Sequence, residues 1–89
     1  MNEHDTVVLT RPLPDHGLQA GDVGAIVHVY ASQESFEVEF TRGGGETVAV
    51  LTLKPDDVRR RDQREILHAR RIPAQPVGVL DVAGLLRVR

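Results

Sequence analysis

Four histidines, His4, His16, His28 and His68, are the first residues of this chain that could do chemistry, as metal ligands or proton carriers. Their spacing argues against a metal, because no two sit at the short separation of a ligand pair and there is no cysteine to assist them. His16, between Asp15 and Gly17, reads as loop surface, and His28 as an exposed strand position. Gly43-Gly44-Gly45 has the glycine density of a phosphate cradle, but Glu46-Thr47 follows it where lysine and serine would be needed, so a hairpin connection is sufficient. Ser32 and Ser35 lie outside any nucleophile elbow, and the adjacent acids Asp56 and Asp57 fall in a turn with no cleft to serve. The sequence therefore predicts a non-enzymatic protein with no catalytic, metal-ligating or cofactor-binding residue.

Charge is the more informative chemistry. Residues 1–58 carry ten acids against Arg11, Arg42 and Lys54, whereas residues 59–89 carry eight arginines against Asp62, Glu65 and Asp81. Arg59-Arg60-Arg61 and Arg70-Arg71 could lie on a solvated face, dock on Glu37, Glu39, Asp56 and Asp57 within the chain or a dimer, or grip RNA, in that order of expectation. Nucleic-acid binding by the acidic part is not expected, since phosphate contact needs several cations on one surface. Stacking platforms are also scarce, because Phe36 and Phe40 fall on a buried face and leave Tyr30 alone.

The elements that must position these groups are short strands. Thr6-Val7-Val8-Leu9 is a β-branched run closed by Pro12 and Pro14, and the turn-rich stretch from Thr10 to Asp22 follows it. Val23 to Tyr30 places Val23, Ala25, Val27 and Val29 on one face and Gly24, Ile26, His28 and Tyr30 on the other, as in a strand covered on both sides. Phe36, Val38 and Phe40 alternate with Ser35, Glu37 and Glu39, and Thr47 to Leu53 returns antiparallel after the triple glycine. A helical turn at Pro55-Asp56-Asp57-Val58 leads to a last strand at Arg59-Arg60-Arg61. Five short strands with a long first loop predict an all-β fold, a small SH3-like barrel over residues 1–61. Residues 62–89 form an arginine-rich C-terminal extension, with a helix from Asp62 and Glu65 through Arg71 and an apolar tail that packs on the barrel or adds to a partner. A barrel this small has little room for a pocket of the ~300 Å³ that small-molecule sites need.

Taken together, Asp5 to Leu9, Leu13 to Leu18, Gly21 to Tyr30, Phe36 to Phe40 and Glu46 to Leu53 resemble domain-of-unknown-function family 4926, with several blocks in matching order over about residues 4–60. The resemblance implies a small bacterial SH3-like domain and carries no activity to any residue. The block Gly21-Asp22-Val23-Gly24-Ala25-Ile26-Val27 also looks like the glycine-spaced strand of KOW modules.

The expected function is that of a protein-protein interaction module, an accessory or neutralising protein whose acidic face of Glu37 and Glu39, with Asp15, His16 and Tyr30, meets a basic partner. Arg59, Arg60 and Arg61 form a second candidate contact. The alternatives are KOW-like RNA or ribosome binding through the extension, and self-association through Val77 to Val88. Lacking a basic, apolar leader, a membrane-length apolar run and cysteine, the chain is expected to be cytoplasmic.

Overall fold

The computed structural model describes residues 1–72, 78–80 and 86–88. Five strands, β1 (Thr6–Leu9), β2 (Val23–Val29), β3 (Phe36–Thr41), β4 (Thr47–Leu53) and β5 (Val58–Arg60), form one antiparallel sheet in the order β4-β3-β2-β1-β5. Each strand lies within a residue or two of its expected span, and the two tight connections fall at the glycine run and at Pro55–Asp57, a 3₁₀ turn. Among the described residues no helix is long and apolar enough to cross a membrane.

One cluster holds the core: Val7 and Leu9 of β1, Ile26 of β2, Phe36, Val38 and Phe40 of β3, Val48, Ala49, Leu51 and Leu53 of β4, and Val58 of β5. It joins side chains from both edge strands, so the sheet must curve around it, as a single layer of this size requires if one face is to be dry. No ladder pairs β4 with β5 among the described residues.

Two bulges decide which side chains reach that core. The β2–β3 register slips between Ile26 and His28, so Val27 is extra and stands exposed. Side-chain parity reverses at that point: Ile26 faces Val38 inside, Val29 pairs with Phe36 inside, and His28 pairs with Glu37 on the outside. The expected grouping of Ile26, His28 and Tyr30 on one face, opposite Val27 and Val29, is corrected by this one inserted residue. A second slip between Phe40 and Thr41 makes Val48 the extra residue of β4, and it turns into the core.

The loop from Thr10 to Asp22 is pinned throughout. The Thr10 amide and hydroxyl donate to the carbonyls of Asp57 and Asp56, at 2.9 and 2.7 Å. Leu13 bridges to Leu18, which is buried in the core, and a 3₁₀ turn at Pro14–His16 ends on Gly17 at a φ of 69°. The Asp57 carboxylate accepts from the Lys54 amide at 2.9 Å and from Arg11 Nε at 2.6 Å. The acidic pair Asp56-Asp57 thus closes a turn and ties the first loop to the last strand.

The helix expected from Asp62 to Arg71 does not form. Asp62 and Glu65 make one turn, with the Asp62 amide donating to Glu65 Oε1 at 2.7 Å and the Glu65 amide to the Asp62 carbonyl at 3.0 Å. The chain then continues without regular structure to Ile72. A lone helix of ten residues is marginal in water. Here the side chains that would run along it are drawn to the sheet instead, as the site below shows. Farther on, β6 (Gly78–Leu80) and β7 (Leu86–Val88) pair antiparallel, and the backbone of β6 comes close to β4. The remainder of the expected apolar tail lies outside the described residues.

Candidate functional site

Asp22 opens β2 and is among the few polar residues that the fold buries. Its own backbone makes it available: the Asp22 amide donates to the Gln19 carbonyl, and Asp22 Oδ2 accepts from the Gln19 amide at 2.8 Å, a turn completed by Gly21 at a φ of 96°. Arg70 grips this carboxylate with two bonds, Nε to Oδ1 at 2.8 Å and a terminal nitrogen to Oδ2 at 2.6 Å, and the same terminal nitrogen donates to the Gly17 carbonyl at 2.8 Å. His68 Nε2 lies 3.1 Å from Oδ1. Burial alone would push the Asp22 carboxyl upward, but Arg70, the Gln19 amide and His68 outweigh it and hold the group below the usual carboxylate range.

This contact fastens the segment 65–72 across the sheet. At its start Arg59 forms a two-pronged pair with Glu65, at 2.8 and 2.7 Å. On the way it passes beside Val8, which points away from the core and is nonetheless buried. Between this strap and the β3–β4 hairpin lies a groove of about 640 Å³, lined by Leu18, Phe40, Val48, Leu67, Arg71 and Ile72 among others. The groove is open and is formed by the extension against the sheet, outside the interior for which little room was expected.

Arg59 and the Asp62 amide bring the exposed Glu65 carboxyl down to about 2. Replacing Arg59 by alanine is expected to return Glu65 toward the ordinary range near 4.3. Carbon-detected NMR titration of the Glu65 side chain checks this, and an unmoved midpoint would mean that the strap does not start at Arg59.

The acidic residues expected to share a face divide into two places. Glu37 and Glu39 stand two positions apart on the outside of β3, half-buried. Glu37 Oε1 accepts from the Tyr30 hydroxyl at 2.8 Å, which holds that phenol above its usual range, and Glu39 accepts from the Thr47 hydroxyl at 2.7 Å. His28 meets Tyr30 edge to face at a ring separation of 4.7 Å and stands 3.8 Å from Glu3. Asp15 and His16 sit apart on the turn of the first loop, and no hydrogen bond or ion pair joins them to Tyr30, Glu37 or Glu39 among the described residues. The positive residues are largely spoken for: Arg59 by Glu65, Arg60 by Asp5 at 3.9 Å, Arg64 by Asp62 and Arg70 by Asp22. Arg61 is exposed with no ion pair among the described residues. Docking of the extension on the first part of the chain occurs, and among the described residues Asp22 receives it, not Glu37, Glu39, Asp56 or Asp57. Nothing in the local pattern around Asp22 marks it as a receptor; its partners lie 46 and 48 residues away.

A curved antiparallel sheet of five strands, with an arginine-anchored strap across it and an acidic outer strand, is what these residues build. Within that class the chain belongs to the family described as Domain of unknown function (DUF4926), whose profile matches residues 3–60. No curated protein and no solved structure matches it.

Proposed function

We propose that this chain is a non-enzymatic protein-protein interaction module of SH3-like form, acting in the bacterial cytoplasm as an accessory or neutralising protein that meets a basic partner on the outside of β3. The observation that carries the reading is the state of Glu37 and Glu39. Both carboxylates are oriented by neutral hydroxyls, those of Tyr30 and Thr47, and no ion pair among the described residues cancels their negative charge. Oriented, uncancelled charge on a strand face steers a basic partner and helps select it. The strand order β4-β3-β2-β1-β5 and the curvature around one cluster support the SH3-like form. The pairing of Arg59, Arg60, Arg64 and Arg70 within the chain weighs against RNA as the partner, since phosphate would have to displace carboxylates already in place.

The test joins a pull-down from the native host, with and without nuclease, to charge reversal. A stoichiometric protein that survives nuclease and binds the Glu37→Lys/Glu39→Lys chain about tenfold or more weakly is expected, with most of the loss in association rate. Undiminished affinity in the reversed chain removes this face from consideration, and ribosomal or RNA-bound material lost with nuclease replaces the reading with nucleic-acid binding.

A further inference from the structure

The strap from Glu65 to Ile72 is attached in an unusual way for a chain segment crossing a sheet. No backbone hydrogen bond joins residues 66–72 to the sheet among the described residues. Ile66 is 94% exposed and Leu67 53%, and Ile72 at its far end packs against the core cluster. Ahead of Ile72 it is held by charge: Arg59 with Glu65 at one end and Asp22 with Arg70 and His68 at the other. The Asp22 end is a built site. Its carboxylate side chain is only 10% exposed, its orientation is set by the Gln19 amide, and the Gly17 carbonyl adds a third acceptor 2.8 Å from a terminal nitrogen of the guanidinium. Three acceptors arranged for one planar cation match arginine and not lysine, whose ammonium cannot take two parallel bonds from a carboxylate.

We infer that Asp22 and the Gly17 carbonyl form an arginine receptor, occupied in cis by Arg70, which an arginine-bearing extended segment of a partner protein enters when the strap is displaced. The choice of occupant follows from charge and shape. The receptor carries a buried negative charge, and the groove beside it is lined by Leu18, Phe40 and Val48, so a segment with arginine next to apolar residues can satisfy both. Among the described residues, displacement breaks side-chain contacts only and leaves the ladders of the five-stranded sheet intact. The strap is then a tethered competitor that raises the threshold for outside ligands, because a segment on a short linker acts at an effective concentration of roughly millimolar. This site is separate from the outer face of β3 and does not depend on Glu37 or Glu39.

The test uses the full chain, labelled with nitrogen-15, and a synthetic peptide with the sequence of residues 64–72 as the arginine-bearing probe. In the Arg70→Ala chain the guanidinium position of the receptor is vacated while His68 stays beside Asp22, and the peptide is expected to bind there with the Gln19 amide resonance moving, at least about tenfold more tightly than it binds the wild-type chain. The same peptide with lysine at the position of Arg70 is expected to lose most of that affinity, and the Asp22→Asn/Arg70→Ala chain all of it. A folded Arg70→Ala chain that ignores the peptide overturns the inference, as does equal binding to wild type and to the double variant. If Arg70→Ala does not keep the sheet fold, the wild-type chain serves: several millimolar peptide is expected to displace Arg70 and move the Gln19 amide, and no movement overturns the proposal. Concentration-dependent dimers in light scattering, with no response to peptide, would show that a second copy of the strap is the occupant instead.

Discussion

Alanine at Gly24 is expected to destabilise the folded chain by about 3 kcal/mol, the upper end for overpacking a dry core. A Cβ there would stand 2.7 Å from Val38 Cγ1, 2.9 Å from Phe40 Cε1 and 3.0 Å from the Glu39 carbonyl oxygen. None of the three can move away freely, because Val38 and Phe40 fill the core cluster and Glu39 is locked to Ala25 in the β2–β3 ladder. For a domain of this size the loss corresponds to a fall in Tm of about 15 °C. Gly43→Ala and Gly44→Ala are the controls. A Cβ at either position meets nothing within 4 Å, and both are expected to melt close to wild type. Thermal unfolding of the three variants decides the matter, and a Gly24→Ala chain melting within about 3 °C of wild type would refute the close approach of β2 and β3. The result also bears on the glycine-spaced block from Gly21 to Val27: Gly21 makes a turn and Gly24 lets two strands pack, which accounts for both without a nucleic acid.

Asp22→Ala is the second large effect, about 2 kcal/mol at neutral pH, below the usual cost of breaking a buried ion pair because Arg70 can swing out into water. The loss has two parts, the Gln19 turn that opens β2 and the anchor of the strap. Its pH dependence identifies it. The native Asp22 carboxyl titrates below its unfolded value, so the unfolded chain takes up the proton first as pH falls. The stabilisation is complete above the unfolded value of about 3.9 and disappears as pH drops through the native one. Urea unfolding is therefore expected to separate wild type from Asp22→Ala clearly at pH 7, with the separation shrinking as pH falls below about 3.9, wherever both chains still fold. A difference that keeps the same size below that value would mean that the ionised carboxylate is not what stabilises the fold.

Most of the fold was legible along the chain because each strand carries its own signal. Phe36, Val38 and Phe40 alternate with Glu37 and Glu39, and the buried and half-buried classes follow in the same order. The turns are marked by residues that the backbone needs, such as Pro55 at the start of a 3₁₀ turn and Gly45 at a φ of 91°. The two departures have one kind of cause. The bulge at Val27 is set by how β2 fits against β3, and the helix after Asp62 loses to contacts made with residues about 46 positions away. Neither competitor leaves a mark in the local pattern from which strands and helices are read.

The candidate site divides along the same line. That Glu37 and Glu39 share an outward face follows from the period of two along β3, and that the extension is cationic follows from its arginines; both were properties of the sequence by itself. Only the tertiary structure decided that Tyr30 reaches Glu37, because the inserted Val27 turns it outward, and that Asp15 and His16 belong to a different loop. Only the tertiary structure selected Asp22, out of ten acids in residues 1–58, as the group that Arg70 finds. The physical reason is that local periodicity sets which way a side chain points, whereas an ion pair worth its desolvation needs a carboxylate already buried and oriented, and burial is a property of the assembled sheet.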